Sequence, residues 1–186
     1  MKLFMPIIAM FILLACANNS VQPTFYSLNA TPLIQKDFKT NLLNDDVIYL
    51  HKVKVSEYLN DPRMIMQSGK NQLTTLSLQR WAAPLSDELT TLTLNQLEMV
   101  LPNTKILTGQ PVKKNMINLY IEVERFHLIV PSKIIVSGRL KTIGLNQEIF
   151  IKAFSEQTEF NGSYDDAVSQ LRKIWLKQIS AFYSDN

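Results

Sequence analysis

Cysteine is almost missing from these 186 residues: Cys16 is the single one, so no disulfide can staple the chain to itself. Glycine is also scarce, at 5 residues, and no G-x-S-x-G elbow, P-loop or dinucleotide fingerprint appears. Histidine occurs only at positions 51 and 127, in segments that read as strands, with neither a cysteine nor paired carboxylates at metal-ligand spacing. Both are read as structural, and no catalytic residue, metal site or cofactor is assigned. Charged residues make up 19% of the chain, and its net charge of +3 comes from Lys and Arg scattered rather than blocked. A nucleic-acid surface is therefore not indicated. Internal repeats and low-complexity stretches are lacking too.

What is present is enough apolar material, 46% of residues, for one ordinary domain with a real core. The most informative part is the beginning. Lys2 is followed by a charge-free apolar run, residues 3–15 (LFMPIIAMFILLA), and then by Cys16 and a polar stretch. That run has the length of a signal-peptide core and falls short of the ~20 residues that span a bilayer. An uncleaved anchor and a core helix with a chance cysteine are the alternatives. Pro6 and the shortness weaken the first, and the polar ANNSVQPT after Cys16 weakens the second. Leu13-Leu14-Ala15-Cys16 resembles the lipobox of bacterial lipoproteins. The resemblance implies that residues 1–15 are a removed signal peptide, that Cys16 carries acyl chains which attach the protein to a membrane, and that 16–23 form a tether ahead of one domain, 24–186. Ala17 and Asn18 follow the cysteine where enterobacterial-type sorting would place a retaining aspartate, which favours the outer membrane.

Along the rest of the chain, FYSL (25–28) reads as a first edge strand, 29–45 as a loop and VIYLHKVKV (47–55) as a strand. SEYLNDP makes a turn ending at Pro62, and RMIMQS-GKN-QLTTLSL a hairpin. Residues 85–101 keep helical spacing, with Asp87 and Glu88 near the favourable end of the dipole and Pro102 as the stop. Ile117, Leu119, Ile121 and Val123 alternate, but Phe126, Leu128 and Val130 continue in the opposite phase, which predicts a β-bulge near Glu124-Arg125. KIIVSGRLKTI and QEIFIKAFSEQTEF complete an antiparallel meander. After Asn161-Gly162, Ser163 with Asp166 resembles a capping box, and a helix follows. It carries Val168, Leu171, Ile174/Trp175, Ile179 and Phe182 on one face, with Arg172, Lys173 and Lys177 turned away. The expected class is α+β: a mixed, largely antiparallel sheet, two main helices on one of its faces, a single domain.

Side chains that invite a chemical role have plainer readings. Asp45-Asp46 and Asp165-Asp166 suit turns and helix starts. Glu122 and Glu124 share a strand face and are read as its solvated side. Trp175 belongs to the core face of the last helix, and Trp81 anchors a strand-to-helix turn.

Two stretches, VSEYLNDPRMIMQSGKNQL (55–73) and LQRWAAPL (78–85), resemble the PqiC/YmbA family of ABC-type transport auxiliary lipoproteins. Tyr58, Leu59, Pro62, Asn71, Arg80, Trp81, Ala82, Pro84 and Leu85 fit its pattern. Asn60, Asp61, Arg63, Gln79 and Ala83 depart from it, the last two replacing a His and a Glu that would be candidates for proton transfer. The resemblance implies a structural or interface role for Tyr58, Leu59, Pro62, Asn71, Arg80, Trp81 and Pro84. Arg80 would offer its guanidinium to carbonyls while Trp81 packs beneath the turn. It further implies an outer-membrane lipoprotein facing the periplasm, with an MCE-domain, PqiB-like protein as partner and assembly of several copies. Its role would be to dock a lipid conduit. Two other functions stand beside that one: a carrier holding lipid in an apolar pocket lined by residues such as Leu89, Leu92, Phe154 and Trp175, and an envelope lipoprotein without a transport role.

Overall fold

A computed structural model of the chain describes residues 21–33, 47–109 and 116–184. Cys16, the signal-peptide segment, Asp45-Asp46 and most of the expected 29–45 loop lie outside them.

The sheet is organised around β7 (Ile117–Ile129). Leu119, Ile121 and Val123 are buried on its first half, and Phe126 and Leu128 on its second. The change of phase is absorbed where expected, by a register shift between Val123 and Arg125 opposite β8 (Lys133–Ile143). Gly138 lies across from the bulge. A Cβ there would come within 2.2 Å of the Glu122 carbonyl oxygen, so the missing side chain is what admits the bulged backbone. β8 then pairs antiparallel with β9 (Ile149–Glu159), completing the meander.

The other edge of β7 takes three short parallel strands in succession. β2 (Val47–Leu50) meets Ile117–Leu119, β3 (Lys54–Val55) meets Glu122–Val123, and β4 (Arg63–Gln67) meets Leu128–Ile129. The stretch 47–55 is thus two strands where one was expected. Lys54 is four positions beyond Leu50, while their partners Leu119 and Glu122 are three positions apart. The slip is stabilised by Val53, whose side chain is buried while its N–H leaves the ladder for Thr90 Oγ1 at 2.9 Å.

β4 and β5 (Leu73–Trp81) form the expected hairpin, and β1 (Thr24–Tyr26) adds to β5 in parallel as an edge strand. A further strand, β6 (Lys105–Leu107), pairs parallel to β2 and was not anticipated.

Helices α1 (Leu85–Val100) and α2 (Tyr164–Ser184) both lie on one face of the sheet, as expected. Leu89, Leu92, Leu171, Trp175 and Ile179 interleave with β7 and β8 to form the core. Trp175 Nε1 donates to Thr93 Oγ1 at 3.0 Å, so the indole is buried with its polar atom paired. At the start of α2 the capping box is half made. Ser163 Oγ accepts the Asp166 N–H, but the Asp166 carboxylate accepts from Asn161 N–H instead of returning to Ser163. Gly162, at φ +93°, supplies the left-handed turn that precedes it. Lys173 and Lys177 face outward, but Arg172 does not merely turn away. Its guanidinium donates to the Leu28 and Thr31 carbonyls, clamping the segment after β1 onto α2. Among the described residues no helix is long and apolar enough to cross a membrane.

Candidate functional site

The stretch 55–85 divides into a structural joint and a cleft wall. Leu59 is buried in the core. The Pro62 carbonyl accepts the Trp81 N–H at 2.8 Å, and the Tyr26 carbonyl accepts that of Ala82. Trp81 is buried with its ring 6.0 Å from that of Phe126, as the anchor of the turn should be. The Pro84 carbonyl then accepts the N–H groups of Asp87 and Glu88 and starts α1. Leu59, Pro62, Trp81 and Pro84 therefore join hairpin, edge strand and helix.

Arg80 behaves differently from expectation. Its strand partner is Arg63, which is held by Asp61 through a two-pronged side-chain pair at 2.9 and 2.7 Å. Those hydrogen bonds, with the Arg63 N–H, hold the Asp61 carboxyl down at about 2, and Arg80 adds to the effect. Arg80 Nε itself is buried and has no hydrogen-bond partner among the described residues, so this nitrogen makes none of the carbonyl contacts expected of the guanidinium.

Tyr58 and Asn71 do reach a common surface. They line an open cleft of about 440 Å³ with Gln67, Glu124, Arg125 and His127, where the hairpin meets the bulge of β7. Tyr58 Oη lies 3.0 Å from both the Glu124 carbonyl and His127 Nδ1. Gln67 donates its amide to the Gly69 and Lys70 carbonyls, which turns its oxygen toward His127 Nε2 at 3.4 Å. That orientation assigns the proton to Nε2 and leaves Nδ1 an acceptor, so the single hydroxyl proton of Tyr58 is shared between Nδ1 and the Glu124 carbonyl. Burial lowers His127 to about 4, helped by the neighbouring Arg125, and burial raises Tyr58 to about 12. Near neutrality both are uncharged, far from the pKa a general acid or base needs. The couple can recognise and position; it is poorly matched to proton transfer.

His127 is structural in the sense expected, buried in a strand, but its partnership with Tyr58 spans 69 positions and leaves no local signal. His51 lies just beyond β2, where a strand was expected, and stacks on Tyr120 with ring centroids 3.9 Å apart. Glu122 and Glu124 flank Arg139 at 3.3 and 3.7 Å on the exposed sheet face. Glu88, read as a dipole residue, is also a buried acceptor. Its carboxylate takes hydrogen bonds from Ser27 Oγ, Leu28 N–H and the Asn29 amide at 2.8 to 3.0 Å. Among the described residues no three His, Cys, Asp or Glu side chains are grouped to hold a metal ion.

Residues 26–180 match the family described as ABC-type transport auxiliary lipoprotein component. The chain is similar to the intermembrane transport lipoprotein PqiC of Escherichia coli (strain K12), with 22% identity over 182 residues, 97% of this chain and 95% of that one. In fold it is similar to an uncharacterized protein of known crystal structure, with a TM-score of 0.75 and 19% identity over 89% of this chain and 99% of the other. It is also similar to a Xanthomonas campestris protein, with a TM-score of 0.68 and 12% identity over 86% and 92%. The match runs from the last residue of β1 nearly to the end of α2, through the joint and the cleft alike, and the chain belongs to the family of ABC-type transport auxiliary lipoprotein components.

Proposed function

We propose that this protein is a non-catalytic auxiliary component of an ABC-type intermembrane lipid transport system, held at the periplasmic face of the outer membrane by acyl chains on Cys16. There it docks the end of an MCE-domain, PqiB-like conduit protein. The observation that carries this is the family match over residues 26–180. The LLAC sequence at 13–16 supports the anchor, since at ~0.8 kcal/mol per buried CH₂ two or three acyl chains hold a protein to a bilayer essentially permanently. The uncharged Tyr58–His127 couple supports recognition over chemistry. Assembly of several copies belongs to the same proposal. Confinement to a membrane raises the effective concentration of partner and copies alike.

A lipid carrier needs an apolar cavity between helices and sheet. Leu89, Leu92, Phe154 and Trp175 are instead packed into the core, the last two edge to face at 6.1 Å. The test is mild crosslinking of the acylated protein in its native membranes, followed by purification. An MCE-domain protein should be recovered, and lost with Cys16→Ala. Phospholipid alone, at about one per protein, would favour the carrier. Neither would leave an envelope lipoprotein without a transport role.

A further inference from the structure

Large apolar side chains left exposed by the core gather at both ends of β8. Leu145, Ile149, Phe150 and Ile151 stand where β8 turns into β9, and Leu73 and Val130, 45% and 47% exposed, stand at the other end. Lys133 and Ile143, which bound β8, are ten positions apart, about 33 Å in a strand. Leu73 and Val130 are close to each other. Leu73 opposes Gln67 of β4, and the Gln67 carbonyl accepts the Val130 N–H at 3.0 Å from the side of β7. Two strand spacings, about 10 Å, therefore part the two apolar residues. Lys70 of the hairpin turn and Lys133, the partner of Ile129, are exposed beside them.

Three observations identify what the Leu73–Val130 end meets. The first is the course of the chain. β1 lies parallel to β5, so upstream of Thr24 it heads as β5 does upstream of Gln79, toward Leu73. Measured along β4, the level of Arg80 and that of Leu73 are four positions apart, about 13 Å. The eight residues from Cys16 to Pro23 span at most about 28 Å, so a membrane holding Cys16 is within reach of Leu73 and Val130. Val21, 71% exposed, lies on that path. The other apolar group is farther away: Tyr26 meets Tyr164 at the start of α2 and Phe150 meets Phe182 near its end, about 27 Å along the helix. The second observation is the backbone. Ser68 N–H donates to the Gln72 carbonyl, the Gln67 amide to the Gly69 and Lys70 carbonyls, and Phe160 N–H to the Ser132 carbonyl, while Pro131 has no N–H. Groups satisfied within the turns tolerate apolar surroundings and give a strand of another protein, or of a second copy, little to pair with. The third is charge. Lysines beside apolar tips suit the boundary between acyl chains and phosphates, their stems along the one and their ammonium groups at the other. Glu159 holds Lys133 loosely, at 3.9 Å, and Glu124, which shares a cleft with Lys70, is paired with Arg139 at 3.7 Å.

We infer that Leu73 with the hairpin turn 68–72, and Val130 with the turn 130–132, rest on the phospholipid bilayer, with Lys70 and Lys133 at its headgroup phosphates. The acyl chains hold the protein, and these turns fix which end of it faces the membrane. The inference rests on the Cys16 anchor proposed above and not on the docking role. It is tested with the full acylated protein in its native membranes, carrying a photo-crosslinking residue in place of Leu73, of Val130 or of Ile149. Positions 73 and 130 should capture phospholipid at least ten-fold more than position 149. Lys70→Gln/Lys133→Gln should lower that capture at least two-fold, with Tm and membrane attachment unchanged. Capture of another protein, of a second copy or of nothing at positions 73 and 130 overturns the assignment. So does equal capture of phospholipid at position 149, or undiminished capture in the double variant. Mass measurement of the unaltered protein separates the two readings: without acyl chains on Cys16 the anchor itself fails, and this assignment with it.

Discussion

Burial keeps two side chains distant in sequence, Tyr58 and His127, uncharged near neutrality, and at His127 this makes the fold sensitive to acid in a defined window. His127 titrates at about 4 in the folded protein against an ordinary 6.5, so between these values the unfolded chain binds a proton that the folded one refuses. Stability therefore rises with pH through the window, is complete above about 6.5, and is lost as pH falls toward 4, by up to about 3 kcal/mol. Urea midpoints at pH 7 and 4.5 should differ accordingly, and His127→Gln should remove most of the difference. Tyr58→Phe leaves His127 Nδ1 without its donor and should cost about 1–2 kcal/mol at pH 7 in the same assay. Glu88→Ala strips the acceptor from three donors around Ser27–Asn29 and should cost about 2–4 kcal/mol. Limited proteolysis should then cut near residue 30 before the rest of the chain. Little at this scale is legible in the sequence. Glu88 reads as a dipole residue and Arg172 as a solvent-facing one because their partners lie 60 and 144 positions away.

The elements show where local pattern suffices and where it does not. The bulge at Val123–Arg125 is legible because a change of phase within one strand is local, and the hairpin, the meander and both helices are legible for the same reason. The break between β2 and β3 is not, since it arises from a hydrogen bond to Thr90 on a helix later in the chain. Neither is β6, three residues whose only strand partner among the described residues is the parallel β2. The joint around Trp81 is visible as a motif, but its division from the cleft residues Tyr58 and Asn71 needs the fold. Gly138→Ala tests the bulge directly. Its Cβ would meet backbone at Glu122 and the Phe154 ring, neither a flexible side-chain end, so the variant should lose about 3 kcal/mol or more, measured as a fall in Tm or loss of soluble protein. Alanine at Gly144, whose nearest neighbours are atoms of the flexible Glu148 side chain, should be tolerated far better.

For the whole molecule, the single-domain α+β class follows from composition and element order, while the parallel pairings that carry β1 and β2 into the sheet emerge only from the fold. Fractionation gives the anchor its own test: Cys16→Ala should move the protein from the membrane to the soluble envelope fraction with its Tm unchanged. β1 has one more consequence. With the proposed acyl anchor on Cys16, every undulation of the membrane would tug the chain, and the tension would enter the fold through Thr24–Tyr26. Because β1 lies parallel to β5, such a pull acts along the strand and strains its backbone hydrogen bonds together rather than one after another. The Glu88 acceptor and the Arg172 clamp catch the chain immediately beyond. A pull from the proposed anchor directed along β1 would therefore load that pairing in shear, the geometry in which a short strand yields last.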